Sequence, residues 1–436
     1  MWPGGAFTNS GGVIGRVSGT NLANGDPLPY ITNLSQLPVA GDLQGSSPVS
    51  IPTGRLEMFE QDFKYPQIFR ANLAIDKKLP GGIVGTLEGI YTANVNNIDL
   101  RNVNVAPSNQ TVDGVEDRQL FQGVGVDTVF NEILVVGNTN KGHSYNITAQ
   151  LNKPFSNGLT ANLAYTFGRS MVINDGTSSQ LTSVWRRNEV TTNDLNNIEL
   201  TRSDFDPGSR ILAYLSYRKE YLNNMATTVG LVYTGQSGQP YSYVINQSGG
   251  SRNMRNQDIF QRSPHDGDLP YIPRTASEIN LQDFTDGDGN TVTAAQQWEQ
   301  LNAFIEADDY LSERRGEYAE RNMARQPFTN IIDLKLMQEF YVNVGDKRNT
   351  IQVTLDIFNF TNFLNKDWGR IETVSFNAFS LLDFRGYEDP ANGDFTPVYR
   401  YTRGDTQPDE IFNVDDSGIN SSRWQMQLGL RYIFGN

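Results

Sequence analysis

Eight charged residues stand in stretches of the chain where apolar and polar residues alternate. They are Arg70, Asp76, Glu88, Arg210, Asp333, Lys335, Asp356 and Arg431. Alternation places successive side chains of an extended strand on opposite faces, so these charges share the polar face of their strands. A Lys or Arg facing lipid costs ~2–4 kcal/mol at the midplane of a membrane. If these strands cross a membrane as a barrel, we therefore expect the eight to face its lumen, where they pair with one another, contact what fills the barrel or line a solute path.

Residues suited to catalysis or metal binding are sparse. The chain has no cysteine and two histidines, His143 and His265, which are far apart in sequence. Both histidines are interpreted as solvated loop residues, because a zinc site or a histidine-based triad needs partners at suitable spacing. We expect no enzyme, no catalytic residue and no cofactor.

Two glycine-rich stretches resemble ligand-binding loops only in part. Asp286–Asn290 reads Asp-Gly-Asp-Gly-Asn, like the start of a calcium loop, but that loop needs Gly and Glu where Thr291 and Gln297 stand. A plain Asp-Gly turn is the simpler interpretation, and we expect no metal site. The GG-x-x-G at Gly11–Gly15 follows no strand and opens no helix, which argues against a phosphate site.

The charged residues lie on elements that read as four hairpins and one final strand. Period-two alternation predicts nine long antiparallel strands, beginning near residues 67, 83, 144, 159, 210, 227, 330, 350 and 423. The turns inside the hairpins are short, whereas the gaps Val95–His143, Gly168–Ser209, Gln236–Thr329 and Thr361–Arg423 are long. Short turns at one end and long loops at the other are typical of an outer-membrane β-barrel. A β-sandwich would show turns every ~8–12 residues throughout.

The final stretch supports the membrane interpretation. Within Ser422–Asn436, apolar residues alternate over the ~9–11 residues that a tilted membrane-spanning strand needs. Aromatic residues stand at both of its ends, as in the girdles at two membrane interfaces. The residues that we expect to face lipid are Phe69, Leu87, Ile147, Leu163, Leu215, Leu231, Leu355 and Leu428. The residues that we expect to face the lumen are Asn72, Glu88, Asn162 and Gln427.

Composition agrees with such a barrel. The mean hydropathy is −0.47, and no run of ~18 apolar residues suggests a transmembrane helix. The formal net charge of −14 argues against nucleic acid as a partner. The N-terminus lacks the basic and apolar regions of a signal peptide, so either a signal was removed or the chain is a piece of something longer.

Two domains and one helix complete the prediction. Residues 1–65 read as a loop-rich N-terminal stretch with one short strand near Val13–Val17, and residues 66–436 as barrel strands with extracellular loops. Thr293–Met323 is predicted to be helical, supported by an i,i+4 pair between Glu317 and Arg321 and ended by Pro327. We expect this helix to pack its loop onto the barrel rim; the alternative is a lid that contacts substrate or partner.

Several stretches resemble the TonB-dependent outer-membrane transporters, in particular the Oar-like branch. They are Phe63–Leu73 with Lys77–Tyr91, Asp309–Asn322, Asp356–Asn365 with Trp368 and Gly369, and the C-terminal strand. The resemblance implies a barrel of about 22 strands around a plug, of which this chain holds the last nine. It also implies that Leu428–Phe434 is read by the barrel-insertion machinery.

The resemblance implies transport of a bulky solute across the bacterial outer membrane. The expected partners are outer-membrane lipid, the inner-membrane TonB energy-coupling complex, and missing N-terminal strands with a plug, from the same polypeptide or another chain. A surface lipoprotein is a further candidate. Nine strands are an odd number, which an antiparallel barrel does not close with, and the chain lacks a signal, a plug and an energy-coupling box. A passive porin, or a structural or adhesion barrel that binds partners through its loops, remains the alternative.

Overall fold

The computed structural model describes residues 22, 26, 55–105, 110–120, 126–127, 130, 132–155, 157–186, 196–247, 268–345, 347–416 and 422–434. In chain order the strands are Arg55–Phe59 (β1), Gln67–Leu79 (β2), Ile83–Asn102 (β3), Glu132–Thr139 (β4), His143–Pro154 (β5), Leu159–Val172 (β6), Thr201–Arg202 (β7), Gly208–Tyr221 (β8), Met225–Gln236 (β9), Pro240–Gln247 (β10), Phe284–Thr285 (β11), Thr291–Val292 (β12), Ala324–Arg325 (β13), Thr329–Val344 (β14), Lys347–Phe358 (β15), Glu372–Thr373 (β16), Ala378–Asp389 (β17), Asp394–Arg400 (β18), Asn413–Val414 (β19) and Gln425–Ile433 (β20). The α-helices are Leu181–Arg186 (α1), Ala294–Ala307 (α2), Asp309–Ser312 (α3) and Phe360–Leu364 (α4). Short 3-10 turns lie at Pro80–Gly82, Ala276–Glu278, Ser375–Asn377, Pro390–Asn392 and Pro408–Glu410.

Nine long strands form one antiparallel sheet, which we call the wall. Its order is β2-β3-β5-β6-β8-β9-β14-β15-β20. Each of these strands begins within three residues of its predicted start, so the all-β antiparallel prediction is confirmed. Short turns join the strands at one end of the wall, here called the turn end, and long connections leave it at the other, the loop end.

The two faces of the wall differ in composition on every strand. Residues that are partners in a ladder lie on the same face, so the register carries each face across the sheet. The apolar face includes Phe69, Leu87, Ile147, Leu163, Leu215, Leu231, Leu336, Leu355 and Leu428. Asn72, Glu88, Asn162 and Gln427 lie on the opposite, polar face. The predicted division of residues between two faces is therefore confirmed.

The ladders do not close the wall into a ring within the described part of the chain. β2 pairs with β3 alone, and β20 pairs with β15 alone. Both edge strands run from the loop end to the turn end, so pairing them directly would make a parallel contact. Antiparallel closure of the wall would need an odd number of further strands.

The long β3 continues beyond the wall at the loop end. Its first part, as far as Ala93, pairs with β5, and its last part, Asn97–Asn102, pairs with β4. β1 joins β4 in parallel. Leu134, Trp185 and their neighbours from β3, β4 and α1 form a small core there. The sequence had predicted loop for this part of the chain.

A separate unit, the loop domain, is built from residues 240–247, 268–325 and 371–416. Its four-stranded sheet has the order β13-β10-β17-β18. β10 comes from the connection between β9 and β14, whereas β17 comes from the connection between β15 and β20, and these two strands pair in parallel. Phe304, Ile305 and Tyr243 lie at the centre of its core, so two long connections fold together.

The predicted helix over Thr293–Met323 is correct in its first half and wrong in its second. Thr293 caps α2 in a capping box with Gln296. Asp308 ends α2 and caps the one-turn α3, which stops at Ser312, well before Pro327. The predicted Glu317–Arg321 helical pair is likewise wrong, because this stretch is not helical and Glu317 instead pairs with Arg314 at 2.7 Å.

Other predictions meet the structure in part. β1 lies within residues 1–65, whereas the strand proposed near Val13–Val17, the Gly11–Gly15 stretch and His265 lie outside the described residues. The interpretation of His143 as a loop residue is wrong, because His143 begins β5 and pairs with Met171 of β6. Among the residues that are described, no helix is long and apolar enough to cross a membrane.

Candidate functional site

The polar face of the wall brings the eight predicted charged residues onto one surface. The register connects them strand by strand, from Arg70 on β2 to Arg431 on β20. This shared surface follows from strand parity, which the alternating sequence dictates. That the surface lines a lumen stays a prediction.

Several of these charges have partners on the same face. The Lys335 ammonium lies 3.1 Å from Asp356 Oδ1, across the β14–β15 ladder. Asp76 Oδ1 accepts a hydrogen bond of 2.5 Å from the Thr86 hydroxyl on β3. Arg70 Nε donates to Thr92 Oγ1 at 3.1 Å. These groups are solvated enough that each pair contributes little to stability.

One residue of the set links the polar face to the loop end. Asp333 Oδ1 accepts a hydrogen bond of 2.8 Å from the backbone N–H of Asn359. Asn359 has a left-handed backbone (φ 51°) and begins the turn into α4. Asp333 therefore fixes the point where β15 leaves the wall.

The sequence prediction missed a charged group near the turn end of the same face. Arg218 lies 2.9 Å from Glu339 and 2.5 Å from Glu220, and Gln352 donates to Glu339 at 3.3 Å. Parity was a usable signal here, since Arg218 stands eight residues from Arg210 and Glu339 stands six residues from Asp333, and an even separation keeps each pair on one face.

The face as a whole offers alternating cations, carboxylates, amides and hydroxyls. Thr148 and Thr166, for example, share a hydroxyl contact of 2.9 Å between β5 and β6. Such a surface can exchange hydrogen bonds with a passing hydrated solute. Within the described residues, no group of three or more His, Cys, Asp or Glu side chains could hold a metal ion.

The Asp286–Asn290 stretch is a turn in the loop domain. Asp286 Oδ1 accepts from the backbone N–H of Asp288 at 3.0 Å and of Asn290 at 2.8 Å. These bonds, the one to Asn290 first, lower the pKa of Asp286. The carboxylate closes the turn on itself, which favours the plain Asp-Gly interpretation over a calcium loop.

The connection between β3 and β4 contacts the loop domain through a buried ion pair. Arg118 is fully buried; its guanidinium pairs with Glu116 and stands 4.6 Å from the centre of the Tyr318 ring. The Tyr399 hydroxyl donates to Glu116 at 2.6 Å. Three connections thus meet at one charged cluster.

Burial and neighbouring charge shift the pKa of two groups in this cluster, Arg118 and Tyr399. Burial alone would lower the pKa of Arg118, but Glu116 foremost raises it above its usual value. Burial raises the pKa of Tyr399 well above its usual value, and the Glu116 carboxylate adds to the rise. The guanidinium of Arg118 therefore stays charged and the phenol of Tyr399 stays protonated at physiological pH.

Comparison with known protein families gives a match over most of the wall. Residues 3–369 match the family model described as outer membrane beta barrel domain. That match covers eight of the nine wall strands. No curated protein matches the chain. The family match, together with the antiparallel wall and its apolar face, places the protein in the bacterial outer membrane: the chain belongs to the outer membrane β-barrel domain family.

Proposed function

We propose that the protein transports a bulky solute across the outer membrane, as the C-terminal barrel part of a TonB-dependent transporter of the Oar-like branch. In this proposal it is not an enzyme. The polar face lines the lumen, and the inner-membrane TonB complex supplies the energy. Further strands, to make about 22 in all, and a plug come from the same polypeptide or from another chain.

The observation that carries the proposal is the orientation of the edge strands. β2 and β20 both run toward the turn end, so nine strands cannot close antiparallel. An open edge in lipid leaves unpaired backbone groups, each costing several kcal/mol. Additional strands would remove both edges, and a barrel that wide would need a plug to prevent leakage.

Expressing residues 1–436 alone with a signal peptide tests whether the wall needs further strands and a plug. We expect no heat-modifiable closed barrel and no solute passage in a liposome-swelling assay. A stable closed barrel that passes solutes without a partner would instead support a passive porin.

The orientation of the polar face is tested separately. Because the chain has no native cysteine, single cysteines can be placed at the neighbouring positions Glu88 and Leu87. In the assembled barrel, we expect a water-soluble, membrane-impermeant maleimide to label Glu88→Cys and to spare Leu87→Cys. Labelling of Leu87→Cys alone would put the charged face toward lipid and contradict the lumen assignment.

A second candidate is a barrel that binds a partner, such as a surface lipoprotein, through its loops. The loop domain favours it, because two long connections form one core with parallel β10–β17 pairing. If partner binding is the main role, removing the energy-coupling complex should leave partner binding intact and should not reduce solute uptake. Loss of uptake under the same condition supports transport.

A further inference from the structure

The apolar face of the wall carries four lysines, one on each hairpin. They are Lys77 on β2, Lys153 on β5, Lys219 on β8 and Lys347 on β15. Strand parity places each with the apolar residues of its own strand; Lys77, for example, stands two residues from Ile75 and Lys153 two residues from Leu151. All four lie within three residues of a short turn.

Charge is divided between the two faces at this end of the wall. The carboxylates of Asp76, Glu220 and Glu339 lie on the polar face. On the apolar face near the turns, the described wall strands have no Asp or Glu. None of the four lysine ammonium groups forms an ion pair with a described residue. The apolar face at the turn end therefore carries a row of positive charge, which we call the ring because it would follow the circumference of the assembled barrel.

The register shows that the ring follows the tilt of the strands. From each lysine, a row of ladder partners runs across the wall to the strand that carries the next lysine. On that strand the next lysine lies closer to the turn than the row does, by two residues for Lys153, four for Lys219 and six for Lys347. Strands of outer-membrane barrels tilt by about 35–45°. Positions at one height in the membrane must then be offset in a single direction, as these lysines are.

A groove lies beside the last lysine of the ring. Its cavity volume is about 470 Å³, within the range of small-molecule sites. Its apolar lining consists of Phe340, Val342, Val344, Ile351, Tyr432 and Phe434. Lys347 is the ladder partner of Val344 and shares its face, so a lysine neighbours one of the residues that line the groove. The Tyr432 hydroxyl, which donates to Asn349 at 3.0 Å, adds a polar rim.

We propose that this ring binds anionic glycerophospholipids of the leaflet at the turn end. The lysines contact the headgroup phosphates, the acyl chains lie on the apolar face, and one chain occupies the groove beside Lys347. Long lysine side chains extend along apolar surface and place their charge at the headgroup level. Because short turns face the periplasm, the leaflet concerned is the inner leaflet of the outer membrane. The proposal rests on membership of the barrel family and not on the transport function.

The test compares two variants that lose the same charge. The ring variant is K77Q/K153Q/K219Q/K347Q. The control is K64Q/K78Q/K141Q/K366Q, whose lysines lie at the loop end or, for Lys78, on the polar face. Each purified protein is placed in phosphatidylcholine vesicles with a trace of spin-labelled phosphatidylglycerol. Electron paramagnetic resonance then gives the preference of the protein-bound lipid shell for the anionic lipid. Every protein is purified in its assembled barrel, with the further strands that close the wall, and far-UV circular dichroism checks that all have the same β content.

We expect the parent protein and the control to prefer phosphatidylglycerol, by up to about fivefold per lysine at low salt, and the ring variant to lose that preference. Equal loss in both variants, or no loss in the ring variant, overturns the proposal. Displacement of the lipid by inorganic phosphate at the same concentration also overturns it, because the ring would then bind phosphate rather than lipid.

The groove is tested by native mass spectrometry after transfer to detergent. We expect one phosphatidylglycerol to remain bound, to be lost in Lys347→Gln and to be kept in Lys77→Gln. Equal loss in both single variants would show that the groove is no distinct site.

Discussion

The wall and the loop domain use apolar residues in opposite ways. In the wall, Leu428 is 75 % exposed and Leu163 is 49 % exposed, each on the apolar face. In the loop domain, Phe304 is 1 % exposed and Ile305 is fully buried. Lipid covers the first set, so the chain itself must cover only the second. An apolar residue is thus informative about the fold only when its surrounding solvent is known.

The two regions also treat charge differently. Lys335 and Asp356 of the wall pair while their side chains remain 51 % and 23 % exposed. In the loop domain's contact with the β3–β4 connection, the Arg118 side chain is 0 % exposed and Glu116 is 9 % exposed. Removing one partner of a buried pair leaves an uncompensated charge, whereas a solvated pair costs little to break. A single charge of the wall can therefore be changed at little cost to stability, whereas one of the buried pair cannot.

The largest effect is expected at the C-terminal edge of the wall. Deleting Tyr432–Asn436 removes the end of β20 that pairs with Thr350 and Ile351, and the resemblance to the transporters implies that Leu428–Phe434 is read during insertion. We expect the truncated protein to be absent from the outer-membrane fraction on immunoblots. The control exchanges Tyr432→Phe with Phe434→Tyr, which keeps both aromatic residues and should insert. Normal insertion of the truncation would show that the signal lies elsewhere.

A large loss of stability is expected in the loop domain on Phe304→Ala. Deleting a buried aromatic side chain costs about 3–5 kcal/mol, from lost burial and a cavity. Hydrogen exchange should rise in α2, β10 and β17 while the wall keeps its protection. The matched variant Phe69→Ala, on the apolar face at 57 % exposure, should leave that exchange unchanged. Equal loss of protection in the wall would mean that the two regions unfold as one unit.

Introducing a lysine should destabilise the protein by different amounts on the two faces of the wall, even at neighbouring positions. Leu163→Lys places a charge in lipid and should cost ~2–4 kcal/mol if the site lies near the membrane midplane. Asn162→Lys places the same charge on the polar face and should change stability much less. Urea unfolding in vesicles measures both. Equal costs at the two positions would remove the distinction between the faces.

The smallest effect is expected at the cap of α2. Thr293 Oγ1 accepts from the Gln296 backbone N–H, and the Gln296 side chain accepts from the Thr293 N–H. Thr293→Ala should destabilise the loop domain by ~1 kcal/mol, visible as faster proteolysis there. Thr293→Ser keeps the acceptor and should behave like the parent; a loss as large as that of Ala would mean that the methyl group, not the cap, matters.

Prediction from sequence succeeded where the environment changes across a single sheet. Water on one side and lipid on the other impose a period of two, so the starts of all nine wall strands and the face of each of the eight charged residues could be read directly. It failed for Glu317 and Arg321, because charges four residues apart arise in irregular loops as easily as on a helix. It also missed Arg218 and Glu339, which parity alone would have found.

The sequence by itself thus determined the wall: its strands, its two faces and the side of the sheet on which the charges lie. Only the tertiary structure decided the loop domain, the continuation of β3 onto β4 and the register that aligns the four lysines across the wall. Local alternation is enough for a strand that meets two solvents. A core assembled from connections more than a hundred residues apart, such as β10 with β17, depends on which segments meet, and no local pattern records that.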